Sequence, residues 1–282
     1  MQSQLFLLLI NPLANRKRIE NIVAQITTEL SDRNIAFKSF TGSWPADINI
    51  YNEVWIIGGD GTLNYFLNIY TNIGLPIVIF KGGTGNDFVT KLYGKINVAE
   101  QIDLVLTAKP KYVDAAECNG RKFINAVGIG FDGEVLKSMN AIRLIGGQSG
   151  YLWLVLQKTF SYNEGHYLIH YNDVLYSGRL LLVIVTNSTT TGGGFKVSPE
   201  ASIDDGALNM VLCKPLSLLK RLRYLPVIEK GNHLYKEFIQ HRTIPSIKIE
   251  CERETPAQID GELFHAKMFD IKVLPQHCLF KY

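Results

Sequence analysis

The chain has few cysteines, little net charge and no long apolar run, and each shortage excludes a class of protein. Its four cysteines are widely separated and form no CxxC pair, which argues against a zinc site or disulfide framework and favours reduced thiols in a cytoplasmic protein. No apolar stretch approaches the roughly 20 residues that a membrane-spanning helix needs. The net charge of +3 is too weak to predict nucleic-acid binding.

Several catalytic signatures are also missing. The sequence contains no GxxxxGK[ST], HExxH or GxSxG pattern. The apolar run near the N-terminus lacks a basic leading region and stops at Asn11-Pro12, so it predicts a buried first strand rather than a signal peptide. With 282 residues and 46% hydrophobic content, the chain can bury the core of one large domain or of two ordinary ones.

The first 113 residues alternate between strand and helix patterns. Strands are predicted over 4–10, 35–40, 53–57 and 75–80, and helices over 17–30, after Gly61 and over 96–107. Such alternation predicts an α/β domain with a parallel sheet and right-handed crossovers.

Strand-like runs predominate after Asp114, which we take as the start of a second domain. They lie at 121–127, 167–171, 178–186, 207–213, 245–251 and 268–274, with helix-like segments near 150–160 and 216–238. This series of strand-like runs predicts a mostly antiparallel β domain over 114–274. Residues 275–282 either finish that domain or return to the first one, residues 1–113.

Two glycine-rich loops follow predicted strands in the first domain, Gly58-Gly59-Asp60-Gly61-Thr62 and the loop at 82–87. Because the carboxyl ends of parallel strands meet at one edge of a sheet, both loops and the Asn11-Pro12 turn should open to one crevice. Glycines let a phosphate approach the backbone, and the helix start that follows each loop favours an anion. We therefore predict a phosphate site, with ligand-free glycine turns as the alternative.

Acidic residues mark two later motifs. The Asp204-Asp205-Gly206 sequence is either a cation site of carboxylate and carbonyl oxygens or a surface turn. In the IDGE sequence at 259–262, Asp260 and Glu262 offer carboxylates, and a carboxylate near a γ-phosphate can accept the proton of an attacking hydroxyl. An Asp-Gly hairpin turn is the plainer alternative.

A third segment, 214–223, mixes leucines with Lys214, Lys220, Arg221 and Arg223. Such a segment could lie against anionic lipid headgroups, or it could be a helix packed on its own domain with a solvated basic face.

Taken together and in order, these motifs resemble the diacylglycerol kinase catalytic-domain family, specifically its small bacterial soluble lipid kinases. The resemblance covers essentially the whole chain and includes the GTGNDF sequence at 83–88, the NAVGIGFDGEV sequence at 125–135 and the GGGFKVSPEASIDDG sequence at 192–206. The GGDGT sequence at 58–62 is shared with NAD kinases, whereas the later motifs are more specific. One departure is Leu13-Ala14-Asn15, where the family usually has Ser and Gly.

The resemblance implies a nucleotide-binding α/β domain followed by a β-sandwich domain, and it implies roles for individual residues. ATP would be bound by Asn11, Thr41, Gly58, Gly59, Asp60, Gly61, Thr62, Leu63, Asn64 and Thr84. Asp60 would also lie near a catalytic Mg²⁺. A structural Mg²⁺ would be held by Asp205 with the backbone oxygens of Ser202 and Ala207. Asp260 would be the general base, with Glu262 in support.

The function predicted is transfer of the γ-phosphoryl group of ATP to a hydroxyl of a lipid such as diacylglycerol, with Mg²⁺. The alternatives are an NAD kinase-like enzyme with a polar substrate and a non-catalytic nucleotide-binding regulator. We expect a cytoplasmic protein that meets its lipid at the inner membrane face, with no nucleic-acid partner. A homodimer is one of the assemblies that the sequence permits.

Overall fold

The computed structural model describes residues 4–12, 16–71, 73–83, 85–141 and 148–282. The chain divides into two compact units, Met1–Val113 with Gln276–Tyr282, and Asp114–Pro275. The last residues, which the sequence left unassigned, therefore belong to the first unit.

The first unit is built on a parallel sheet whose strands run in the order β4-β3-β1-β2. The strands are β1 (Leu5–Ile10), β2 (Ala36–Thr41), β3 (Glu53–Gly58) and β4 (Ile77–Lys81). The helices are α1 (Arg16–Asp32), α2 (Asp60–Ile69), α3 (Asp87–Tyr93) and α4 (Val98–Thr107). β3 is buried along its whole length, as expected of an unbroken apolar run in a sheet covered on both faces. The predicted parallel α/β unit is confirmed.

The end of the chain is tied firmly into this first unit. Phe280 pairs in parallel with Ile77 of β4. The next residue, Lys281, donates from Nζ to Glu53 Oε1 at 2.7 Å, and its carbonyl accepts the Tyr93 hydroxyl at 2.9 Å. Since both members of the Lys281–Glu53 ion pair are buried, losing either one would leave an uncompensated charge in the core.

The second unit is mostly antiparallel, as predicted. Its central strands follow the order β12-β11-β10-β7-β13-β14, while β8 and β9 form a hairpin beside β13, and β5 and β6 form another. The strands are β5 (Pro110–Cys118), β6 (Arg121–Phe123), β7 (Ala126–Ile129), β8 (Gly165–Tyr171), β9 (Val174–Leu180), β10 (Leu182–Thr186), β11 (Leu208–Cys213), β12 (Ile239–Ile244), β13 (Ser246–Ile259) and β14 (Glu262–Lys281).

The described part of the second unit also contains the helices α5 (Phe131–Ala141), α6 (Gln148–Ser161) and α7 (Leu218–Glu229). The periodicity did not predict α5, and it placed the end of α7 at 238, nine residues too late. The helix ends early because Gly231 adopts a left-handed φ of 79° and Asn232 N–H bonds back to the Val227 carbonyl. The strands predicted over 121–127 and 178–186 are each interrupted, at 124–125 and at Leu181.

Candidate functional site

Three strand ends in the first unit are joined by hydrogen bonds at the carboxyl edge of the sheet. Asn11, just after β1, donates from its backbone to the Ile57 carbonyl at 3.1 Å and from Nδ2 to Thr62 Oγ1 at 2.8 Å. Gly82, just after β4, donates to the Gly58 carbonyl at 2.8 Å. The strand order reverses between β1 and β3, which is where an open parallel sheet forms its ligand crevice.

Two glycines, Gly59 and Gly83, are required by the contact between the two loops. A Cβ on Gly59 would lie 2.5 Å from the Gly85 carbonyl oxygen, and a Cβ on Gly83 would lie 2.5 Å from Gly59 Cα. Gly61 is different, because a Cβ there meets no atom within 4 Å and the residue lies exposed in the first turn of α2. Packing does not explain this glycine, whereas close approach of a ligand to the helix N-terminus would.

Asp60 connects the two loops through its carboxylate. The side chain is only 8% exposed, and it accepts the backbone N–H of Asp87 at 2.7 Å and of Phe88 at 3.1 Å. It therefore caps the N-terminus of α3, which begins at Asp87. This contact gives the residue a structural task, and its proximity to Mg²⁺ stays a prediction.

The other residues predicted to bind ATP differ in accessibility. Leu63 is fully buried in the core, and Asn64 is buried with Oδ1 accepting from Asn68 at 3.3 Å. Thr62 Oγ1 also accepts the Gly59 N–H at 3.3 Å, which closes the first turn of α2. Thr41 is exposed at the end of β2. Thr84 and residues 13–15 lie outside the described residues.

Asn86 also organises this region, although the sequence analysis did not single it out. Its side chain donates from Nδ2 to the Gly83 carbonyl at 2.6 Å and accepts the Gly83 N–H at Oδ1 at 3.2 Å, so it closes the second loop on itself. The tendency of Asn to bond nearby backbone in turns was the available signal.

In the second unit, Asp260 lies at a hairpin turn and holds the break between β6 and β7. Its φ is 46° and that of Gly261 is 86°, as in the two-residue turn that joins β13 to β14. The carboxylate is only 8% exposed and accepts three backbone N–H groups, of Ile124 at 2.7 Å, Asn125 at 2.9 Å and Ala126 at 3.0 Å. The Asp-Gly hairpin turn that the sequence offered as an alternative is therefore present. The Asp260 carboxylate also binds the backbone that connects β6 to β7.

Glu262 begins β14, where it pairs with Ile259 across the hairpin and is exposed to solvent. Its side chain is therefore much more accessible than that of Asp260. Both residues lie at one turn, where Glu262 rather than Asp260 is the exposed residue.

The predicted cation loop is tied to a buried aspartate. Asp114 is 1% exposed, and its Oδ2 accepts the Gly206 N–H at 2.6 Å. Within the loop, Asp205 Oδ1 accepts the Ala207 N–H at 3.1 Å, and the Ser202 hydroxyl donates to Asp204. Among the described residues, no group of three or more His, Cys, Asp or Glu side chains could hold a metal ion. The predicted site uses one carboxylate and two carbonyls, oxygen ligands of the kind that Mg²⁺ accepts.

A pocket in the second unit is lined largely by apolar side chains of β10, α6 and α7, among them Ile184, Val155 and Ile228. Its volume is about 710 Å³, which includes space open to solvent. Asp132 of α5 reaches the wall, and burial raises the pKa of its carboxyl to about 6. Only a long 3.4 Å hydrogen bond from Gln258 opposes this effect.

Arg221, one of the basic residues of segment 214–223, turns inward at the pocket wall. It donates from Nη1 to the carbonyls of Thr159 and Tyr162, and from Nη2 to the Glu164 carboxylate at 2.5 Å. The guanidinium therefore caps the C-terminal end of α6 and belongs to the fold. Arg221 is therefore not part of a solvated basic face of this segment.

Comparison with known proteins agrees with this architecture. Residues 5–118 match the model of the diacylglycerol kinase catalytic domain, and residues 125–279 match the model of the YegS C-terminal NAD kinase beta sandwich-like domain. A diacylglycerol kinase of Bacillus subtilis strain 168 is 22% identical over 265 residues, which are 89% of this chain and 88% of the relative.

Two solved structures share the fold. A diacylglycerol kinase of Bacillus anthracis strain Sterne superposes with a TM-score of 0.75 at 24% identity, covering 100% of this chain and 98% of the other. An NAD kinase of Archaeoglobus fulgidus, solved with ATP, superposes with a TM-score of 0.57 at 12% identity, covering 98% and 93%. With both domain models matched in order along nearly the whole sequence, the chain belongs to the diacylglycerol kinase catalytic-domain family and is an ATP-dependent kinase.

Proposed function

We propose that the protein transfers the γ-phosphoryl group of ATP to a hydroxyl of a lipid such as diacylglycerol. The observation that carries the lipid assignment is the apolar pocket of the second unit. Its lining is mostly apolar, with Leu182, Ile184 and Leu225 among the side chains that form it. An acyl chain needs an apolar wall of this kind, whereas a dinucleotide substrate needs many polar partners. The names of the curated relatives point the same way.

The loops of the first unit would hold the triphosphate. In support, Gly61 in the first turn of α2 is exposed, and the loops beside it are held by hydrogen bonds of Asn11, Asp60 and Asn86. Rigid placement matters because phosphoryl transfer depends mainly on positioning and charge stabilisation.

Asp260 would accept the proton of the lipid hydroxyl as the new O–P bond forms. Three backbone N–H groups fix the orientation of this carboxylate, so little reorganisation is needed at the moment of reaction. Glu262, exposed at the same turn, would support it by its charge.

Mg²⁺ fits the donor chemistry of two places. Asp205 with the carbonyls of Ser202 and Ala207 would hold a structural ion, and Asp60 would lie near a catalytic one. A bound Mg²⁺ would offset the charge of the phosphates. The residues of the chain itself orient the loops, exclude water from the pocket and take up the proton.

The test is phosphorylation by purified protein of a total lipid extract, of diacylglycerol and of NAD, with γ-labelled ATP and Mg²⁺. We expect label in a lipid product and none in NADP. Label in NADP alone would favour the NAD kinase-like alternative, and ATP binding without any product would favour the regulator.

A further inference from the structure

Two helices of the second unit, α6 and α7, cover the pocket and carry apolar side chains on their outer faces. Val155 of α6 and Ile228 of α7 line the pocket, so these positions define the inner faces. On α6, Trp153, Leu156 and Phe160 are exposed and follow the i, i+3, i+7 spacing of one helical stripe. On α7, Leu218 and Leu219 are exposed, Leu219 to 80%.

The two apolar sets adjoin where the C-terminal end of α6, with Phe160, meets the first turn of α7. Arg221, one turn after Leu218, bonds the carbonyls of Thr159 and Tyr162, which flank Phe160 in the chain. The first turn of α7 is therefore held against the C-terminal end of α6. We call the outer surface formed by Trp153, Leu156, Phe160, Leu218 and Leu219 the helical apron.

The unpaired charges of the two helices are basic. α6 contains no acidic residue, and α7 contains none before Glu229 at its end. The nearby carboxylates of Glu164 and Glu134 are paired with Arg221 and Lys158. Lys214, Lys220 and Arg223, just before and within α7, are exposed and form no ion pair with any residue that the structure describes. No helix in the described part of the chain is long and apolar enough to span a bilayer.

We propose that the apron is a docking surface for the headgroup region of a bilayer that contains anionic lipid. Exposed aromatic and leucine side chains enter the interface, and Lys214, Lys220 and Arg223 contact the anionic headgroups. The three exposed basic side chains match this partner by charge. This proposal rests on the proposed function. If the protein phosphorylates membrane lipids, docking through the helices that cover the pocket shortens the path of the lipid from the bilayer into the pocket.

Vesicle flotation tests the surface directly, with phosphatidylcholine vesicles and with vesicles that also contain phosphatidylglycerol. Phe160→Glu combined with Leu219→Glu should abolish flotation with both. Lys220→Glu combined with Arg223→Glu should lower the partition coefficient on anionic vesicles at least about tenfold, because each basic residue near such a surface contributes substantially to binding.

Matched controls separate this effect from general loss of apolar surface or charge. Leu175→Glu replaces an equally exposed residue of β9, 60% exposed against 58% for Phe160, and should float normally. Lys267→Glu, at an exposed site of β14, should do the same. Circular dichroism and unfolding midpoints confirm that each variant is folded.

A second measurement distinguishes failure of the docking proposal from failure of the proposed lipid kinase function. Apron variants should keep phosphorylation of a short-chain diacylglycerol in detergent and lose it on vesicles. If no lipid is phosphorylated but flotation depends on the apron, the function is wrong and the surface stands. Normal flotation of the Phe160→Glu and Leu219→Glu double variant would overturn the surface. The proposal would also be overturned if the protein were a dimer that this double variant converts to a monomer, because a second copy of the chain would then cover the apron.

Discussion

The glycine loops of the first unit and the pocket of the second unit are built in opposite ways. The loops bring together residues between 58 and 88, plus Asn11, through backbone hydrogen bonds and glycine contacts that demand particular residue types. The pocket is formed mostly by ordinary apolar residues between 131 and 228, on three helices, two strands and the loops beside them. A site that depends on close backbone contacts restricts the residue types that fit and so leaves a recognisable motif in the sequence. A pocket that depends on the shape of its apolar walls does not.

The largest effect should come from Asp260. Asp260→Ala should reduce turnover by about 10²–10⁴-fold, the range expected for loss of a general base, while ATP binding is largely retained. It should also lower the free energy of unfolding, because three buried N–H groups lose their acceptor. Turnover, ATP titration and urea unfolding measure the three quantities.

The control for Asp260 is Glu262→Gln, at the exposed neighbour, which should leave stability unchanged and reduce turnover less. Near-normal turnover of Asp260→Ala would refute the base assignment, and unchanged stability would refute the structural role.

The pocket can be tested by filling it. Ile228→Trp places a larger side chain against the pocket wall and should weaken binding of a lipid acceptor at least about tenfold, while ATP affinity is unchanged. Leu219→Trp, on the outer face of the same helix, is the matched control and should leave lipid phosphorylation intact. Equal activity of the two variants would show that the pocket does not receive the lipid.

The glycines of the loops should divide into two kinds. Gly83→Ala pushes a Cβ against Gly59 Cα and should destabilise the fold by about 1–3 kcal/mol. Gly61→Ala meets open space in a helix and should stabilise it by up to about 1 kcal/mol, yet weaken ATP binding. Thermal unfolding and ATP titration of both variants provide the comparison. If Gly61→Ala binds ATP normally, the start of α2 is not the phosphate contact.

The smallest effect concerns pH. Burial raises the pKa of Asp132 from 3.8 to about 6, so between these values the folded protein holds a proton that the unfolded chain releases. The contribution of this group to the free energy of unfolding is therefore complete at low pH and decreases as the pH rises from 3.8 to about 6. The decrease is at most about 1.4 kcal/mol per pH unit. Asp132→Asn should remove that component of the slope in urea unfolding series. An unchanged slope would show that the Asp132 carboxyl is solvated.

The sequence predicted the parallel sheet and both loops well, but it failed where tertiary contacts override local preference. α5 carries Gly133 within it, which argues against a helix by propensity. That glycine is needed because a Cβ there would lie 2.2 Å from the backbone of Pro256. Similarly, the predicted strand 121–127 breaks because its N–H groups at 124–126 bond a carboxylate more than 130 residues away.

The amino-acid sequence by itself determined the family, the order of the two units and the residues of the glycine loops, since backbone approach and turns restrict which residues fit. Tertiary structure alone decided that Asp60 and Asp260 each organise backbone N–H groups, that Arg221 turns inward, and that an apolar pocket forms beneath α6 and α7. These features depend on contacts between residues far apart in the chain, which impose no local pattern on the sequence. In the pocket wall, moreover, any apolar side chain of suitable size serves.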